Sequence, residues 1–161
     1  MDETDFKIVE LLMEDGRMPC AEIARRIGGI TERSVRYRLE RMLADGLFQV
    51  SAIVNPKKLG FNVVADVVLE VEPPHILDVA NKAAEFECVS YVACSIGNTD
   101  VSVQILARDT EEVYAFVTGV IAKLPGVRKS STSIVPLVVK DVYQWHIPAR
   151  FGQRKEGKSP G

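Results

Sequence analysis

The chain has 161 residues and a formal net charge of −2, with 47% hydrophobic and 26% charged residues, the profile of an ordinary globular protein of one domain or two small ones. No apolar run approaches the ~18 residues of a membrane span, and residues 1 to 7 are acidic without the apolar core of a secretory signal, so a cytoplasmic protein with no membrane partner is expected. The three cysteines, Cys20, Cys88 and Cys94, make no C-x-x-C pair; the last two share a face of one predicted strand roughly 20 Å apart, too far for a bridge, so idle thiols are expected and neither a metal site nor a cofactor.

Residues 2 to 16 predict a first helix with Phe6, Val9, Leu12 and Met13 inward. Asp2 and Asp5 stand at its amino end, where carboxylates meet free N–H groups and the positive end of the helix dipole. Residues 20 to 29 predict a short second helix carrying Ile23, Ala24 and Ile27. Ala24 is small enough for a close helix crossing, and Gly28 and Gly29 turn the chain. Residues 30 to 47 predict a third helix, capped by the Thr31 hydroxyl and stopped at Gly46. Val35, Leu39 and Met42 recur at i, i+4 and i+7 as one apolar stripe, and Arg33, Arg36, Tyr37 and Arg41 point away from it.

The small net charge hides a local basic stretch, because residues 17 to 41 hold seven arginines against three glutamates. A DNA binder needs such a face and not a basic total. Taken alone, the third helix fits either a solvated amphipathic helix or one seated in the major groove. The order helix, short helix, glycine turn, basic helix is that of a helix-turn-helix reader of double-stranded DNA. The candidate DNA contacts are Thr31, Arg33, Ser34, Arg36, Tyr37 and Arg41, with Arg41 nearer the phosphates.

Asp5, Ile8, Val9, Leu12, Asp15, Gly16, Arg17, Glu22, Ile23, Ala24, Val35, Arg38, Leu39, Asp45, Gly46 and Leu47 together resemble the amino-terminal module of the Lrp/AsnC regulators, the leucine-responsive or feast/famine transcription factors. Two features depart from that pattern. The family usually has one glycine between helices two and three, where this chain has Gly28 and Gly29. Pro19 stands where a Ser or Thr normally caps helix two, although proline suits a first helical turn.

Residues 1 to 50 thus read as a (winged) helix-turn-helix domain, followed by a linker strand and hinge over 51 to 61. Phe48, Val50 and Ala52 alternate with polar neighbours, and Asn55 and Pro56 stop that strand. Residues 62 to 140 read as a second domain, with predicted strands over 62 to 72, 89 to 96, 100 to 107 and 127 to 139. A helix over 75 to 86 turns Ile76, Val79, Ala80 and Ala83 inward. Another opens on a capping-box variant at Asp109 to Glu112 and carries Val113, Phe116, Val117, Val120, Ile121 and Leu124 at helical spacing up to Pro125 and Gly126.

That order predicts a ferredoxin-like βαββαβ fold of the α+β class, a four-stranded antiparallel sheet with both helices on one face. The other face is expected to be apolar and covered by a second copy, since burying several hundred Å² at ~25 cal/mol per Å² favours pairing. A two-fold homodimer follows. The Lrp/AsnC resemblance implies the same dimer, and four dimers closing into an octamer. Residues 141 to 161 read as an extension, with Val142, Tyr143, Trp145 and Ile147 extending or covering the sheet and a disordered tail from Gly152.

Gly97, Asn98, Thr99 and Asp100 need no explanation beyond a turn between strands. In Lrp/AsnC proteins the corresponding loop, usually Gly-Asp-Tyr-Asp, lies between dimers and helps bind an amino-acid effector. Gly97 and Asp100 match it, and Asn98 and Thr99 replace the acid and the aromatic. The resemblance implies that Asp100 pairs with the effector's ammonium, that loop N–H groups hold its carboxylate, and that the Ser130 and Thr132 hydroxyls complete the site. The alternative on the same two-domain plan is a sirohaem-decarboxylase-like enzyme. It needs histidine and basic groups around a haem-like pocket, and His75 and His146 read as surface residues.

Overall fold

A computed structural model describes residues 1–148. The described residues divide into two compact units, Met1–Ile53 together with 140–148, and Val54–Val139. The tail expected from Gly152 lies outside the described residues.

The first unit contains three helices, α1 (Glu3–Glu14), α2 (Cys20–Ile27) and α3 (Glu32–Ala44). α1 opens on a reciprocal cap: the Asp2 carboxylate accepts from the Asp5 N–H at 2.9 Å, and the Asp5 carboxylate accepts from the Asp2 N–H at 3.1 Å. Ile8, Val9, Ile23, Val35 and Met42 form the buried core, with Leu12, Met13, Ala24 and Leu39 packed at its margin. The inward side of α1 therefore runs through Asp5, Ile8, Val9 and Leu12, and Phe6 is only half-buried. Apolar periodicity places Val9, Leu12 and Met13 correctly but not Phe6, and it misses Asp5 because an inward carboxylate carries no apolar signal.

α2 starts directly after Pro19, which sits at the cap position and makes no side-chain cap bond. Gly28, at φ 73° and ψ 152°, and Gly29, at φ 67°, carry the turn in backbone regions that disfavour a side chain. The Thr31 hydroxyl then accepts from the Ser34 N–H at 3.2 Å to cap α3. α3 ends as its glycine predicts. Leu47 N–H donates to the Met42 carbonyl at 3.0 Å and Gly46 N–H to the Leu43 carbonyl at 3.1 Å, with Gly46 at φ 67°.

The strand expected over 48 to 52 does not form; residues 48 to 55 have no ladder partner among the described residues, so no wing hairpin is built. The hinge is a single 3₁₀ turn, Pro56–Leu59, capped by the Asn55 side chain and closed by Gly60 at φ 92°. Near the carboxyl end Val142, Tyr143 and Trp145 are exposed around a second short turn. Ile147 packs on the helical core and not on the sheet.

The second unit holds β1 (Val63–Val71), α4 (Ile76–Ala84), β2 (Val89–Cys94), β3 (Val101–Ala107), α5 (Thr110–Gly119) and β4 (Val127–Val135). The sheet order is β2-β3-β1-β4 with every pairing antiparallel. Ala65, Val67, Leu69 and Val71 of β1 and Val101, Val103, Ile105 and Ala107 of β3 pack against Val79, Ala80, Ala83, Val113 and Val117, so both helices cover one face. α5 stops at Gly119, short of the sequence expectation, and a 3₁₀ turn, Ile121–Lys123, keeps Ile121 fully buried. β4 ends at Val135 because Pro136 supplies no N–H to a ladder.

Two expectations about the sheet need correcting. Val89 pairs with Ile105 and Tyr91 with Gln104, so Ser90 is an extra residue that breaks the alternation of β2. Cys88 packs on the core while Cys94 is exposed, and the two do not share a face as a regular strand would require. Burial raises the Cys88 thiol above its ordinary value. The open face is also mixed. Val64, Val68, Leu106 and Val135 share it with Asp66, Glu70, Gln104 and Lys129, where Gln104 Nε2 donates to Asp66 Oδ1 at 3.0 Å and Lys129 pairs with Glu70 at 3.0 Å.

Gly28→Ala tests the turn that sets α3: with nothing within 4 Å to clash, the substitution should destabilise the helical unit by about 1–3 kcal/mol through backbone strain alone. Thermal unfolding measures it.

Candidate nucleic-acid interface and loop site

One exposed strip of α3 carries half of the six expected DNA contacts. Arg33, Arg36 and Tyr37 are exposed, Tyr37 at 67%, and lie one turn apart on the side opposite Val35 and Met42. Arg33 forms no ion pair among the described residues, while Arg36 reaches Glu32 at 2.8 Å. Thr31 is engaged in the cap, and Ser34 is half-buried beside it.

Arg41 behaves differently. Its Nη2 donates to Asp5 Oδ2 at 2.7 Å, and Arg38 Nη1 donates to Asp5 Oδ1 at 2.7 Å and to Asp2 Oδ2 at 2.6 Å. Asp5 is 1% exposed. A carboxylate there persists only because two guanidinium groups and the Asp2 N–H satisfy it. Burial pushes its carboxyl up, but the bonds from Arg38 and Asp2 outweigh that and hold it below the ordinary range. The hydrogen bond from Arg38 lowers Asp2 as well.

Sequence reasoning missed this network. The available signal was two aspartates three apart at a helix start, and two arginines three apart on another helix.

The basic character of the stretch is thus largely matched within the fold. Arg25 pairs with Glu22 at 2.6 Å and Arg26 with Glu14 at 2.7 Å, besides Arg36, Arg38 and Arg41. The exposed pairs are worth only about 0–1 kcal/mol each and open easily to a competing anion. Arg33 and Arg17 are without ion pairs among the described residues.

The loop site is built around Asp100. Its N–H donates to the Leu69 carbonyl at 2.9 Å, its carbonyl accepts from the Ser95 N–H at 2.8 Å, and its Oδ2 accepts from the Val71 N–H at 2.7 Å. Val71 is 1% exposed and sits where the β1–β4 register shifts, so Asp100 supplies a partner to a buried amide. Leu69 pairs with Val101 on one side and Ser130 on the other. Asp100 and Ser130 consequently flank β1 at one end of the sheet, roughly two strand spacings or 9–10 Å apart. Thr132 lies further along β4 opposite Val67, on an exposed stretch. Gly97 and Asn98 stand exposed at the loop tip, Thr99 is half-buried, and the adjacent Ile96 is fully exposed.

His75 packs against Gly126, where an added Cβ would lie 2.4 Å from the His75 Cβ, and its ring stands 3.9 Å from Glu72. His146 is exposed. Among the described residues no group of three or more His, Cys, Asp or Glu is placed to hold a metal ion, and no helix is long and apolar enough to cross a membrane.

Comparison with known proteins places both units. Residues 1–43 match an AsnC-type helix-turn-helix domain, and residues 64–145 match an Lrp/AsnC ligand binding domain. An HTH-type transcriptional regulator of Pyrococcus abyssi, itself uncharacterised, is 36% identical over 141 residues, covering 87% of this chain and 89% of that protein. The HTH-type transcriptional regulator LrpA of Pyrococcus horikoshii is 35% identical over 136 residues, covering 84% and 96%. Among solved structures, AsnC of E. coli has a TM-score of 0.80 at 20% identity, covering 89% of this chain and 98% of that one. A Neisseria meningitidis transcriptional regulator in complex with L-methionine has a TM-score of 0.81 at 23% identity, covering 88% and 93%; both likenesses show the fold.

Two predictions follow from the side-chain bonds. Asp100→Ala strands the Val71 N–H and should destabilise the sheet unit by about 1–3 kcal/mol, whereas Asp100→Asn keeps an acceptor and loses less; denaturant unfolding compares them. Because Asp5 and Asp2 have lowered values in the folded state, their contribution is complete above the ordinary carboxylate pKa of about 4 and is lost as pH falls through the lower folded values. Acid titration of helical circular dichroism should show that loss weakened in Asp5→Asn.

Proposed function

The chain belongs to the Lrp/AsnC family of transcriptional regulators, and we propose that it is a cytoplasmic homodimer that reads double-stranded DNA with α3. Dimers assemble further, to an octamer, in response to an amino-acid-like effector, and the protein acts by binding without a catalytic step. The exposed strip of Arg33, Arg36 and Tyr37 carries this reading, because it stands opposite a locked apolar side. Guanidinium forks match the acceptor pair of guanine in the major groove. Thr31 and Ser34 lie at the amino end of α3, where hydroxyls and backbone N–H groups suit phosphates. Arg41 stands one turn beyond Tyr37, toward the DNA backbone.

Two features support the dimer. Residues 48 to 54 have no ladder partner among the described residues, and Val50, Ile53 and Val54 are exposed along them. The open sheet face presents Val64, Val68 and Leu106, beside a hollow of about 280 Å³ lined by Asp66, Val68, Tyr91, Ser102 and Gln104 among others. A second copy gives both an occupant. The effector reading draws support from the ligand-binding-domain match and from the L-methionine held by the N. meningitidis neighbour. Gly97, Asn98, Thr99, Asp100, Ser130 and Thr132 form its site. Asp100 keeps Oδ1 for an ammonium while Oδ2 holds Val71. An effector there acts by favouring one arrangement of dimers.

Selection of bound fragments from random duplex DNA, repeated with a panel of free amino acids, tests the whole reading. The expected product is a near-palindrome with half-sites about one helical turn apart, roughly 34–36 Å, and its yield should change with one or more amino acids. Arg33→Ala should cost about 1–3 kcal/mol and relax preference at one base position. An isolated asymmetric half-site bound by a monomer, or an Arg33→Ala variant with unchanged affinity and preference, would contradict the assignment.

A further inference from the structure

We propose that Asp5 is a positioning residue for recognition of the DNA backbone. From α1 it holds the Arg41 guanidinium of α3 in one pose, from which the remaining N–H groups meet a phosphate. The inference rests on the reading of α3 as the DNA-facing helix.

The two ends of this ion pair face opposite ways. The Asp5 side chain is 1% exposed and that of Arg41 is 43% exposed. The bond uses only Nη2 of Arg41, and a guanidinium has five N–H donors, so a phosphate can bind without breaking it. Arg38 explains why Arg41 is not consumed by its partner. Lying three residues earlier on α3 and only 24% exposed, it neutralises the other oxygen of Asp5 and also engages Asp2.

Arg41 also continues the row of Arg33 and Tyr37 at i, i+4 and i+8, where successive side chains of a helix stand above one another. A groove-bound helix meets a backbone beyond its base-reading turns. An unrestrained arginine loses rotamer freedom when it binds phosphate, whereas one already held by a buried carboxylate loses less.

The sign of one substitution separates this role from simple electrostatics. Asp5→Asn removes a negative charge from beneath the DNA-facing surface, and Coulomb attraction alone then predicts tighter binding. Loss of positioning predicts weaker binding.

The test measures affinity of the full chain for a mixed-sequence duplex of about four helical turns across a salt series, with folding checked by circular dichroism. Asp5→Asn is expected to bind roughly tenfold more weakly and to lower the slope of log affinity against log salt by about one. Arg41→Lys keeps the charge but lacks a fork that can hold Asp5 and a phosphate together, and it should also bind several-fold more weakly. A folded Asp5→Asn that binds as tightly as wild type or tighter overturns the proposal. If Asp5→Asn does not fold, Arg41→Lys decides: weaker binding supports the positioning role and unchanged affinity overturns it. A wild-type chain that does not bind the duplex at low salt overturns the DNA reading and this inference with it, while wild-type binding with unaltered variants overturns the inference alone.

Discussion

A carboxylate buried between two guanidinium groups governs how the helical unit can be used. An isolated ionised Asp5 would be too costly at 1% exposure, so α1 and α3 must approach closely enough for Arg38 and Arg41 to reach it. That requirement constrains the rotation of α3 on the core together with the burial of Val35 and Met42. It also sorts the arginines. Arg38 completes the fold, Arg41 divides its guanidinium between Asp5 and the surface, and Arg33 and Arg36 on the far side make no bond to α1.

The same economy of polar groups shapes the sheet unit. β1 is the central connection between β3 and β4, and its ladder shifts register between Glu70 and Val71. The amide left over at Val71 is buried, and the Asp100 side chain satisfies it. The loop before β3 is therefore anchored to the strand that also positions Ser130. Three hydrogen bonds through Asp100 thus tie that loop to the sheet, and it is not a free hairpin.

Much of this was legible in the sequence, for identifiable reasons. Apolar periodicity located each helix of the first unit, and Thr31 and Gly46 marked the ends of α3 because capping is local chemistry. The strand expected over 62 to 72 forms as β1, and its alternation is strict because a central strand cannot slip by a residue without exposing its core side. What failed depended on partners. The stretch over 48 to 52 alternates like a strand, but a strand exists only with a ladder beside it. The bulge at Ser90 left no mark in composition, so Cys88 and Cys94 were placed on one face. On α1 the apolar pattern finds Val9, Leu12 and Met13 but not Asp5, because an inward charge has no apolar signature. For the site, the exposed strip of α3 was visible in the residues, while the internal engagement of Arg41 and Asp100 came only from tertiary geometry.

On the proposed reading, DNA meets Arg33 and Tyr37 while Arg38 stays with Asp2 and Asp5. Determining the structure of the chain bound to a selected duplex tests it most directly. The account predicts α3 in the major groove, Arg33 and Tyr37 at base edges, and the Arg38–Asp5 pair intact behind them. A complex in which Arg38 leaves Asp5 to contact DNA, or in which α3 lies outside the groove, would contradict it.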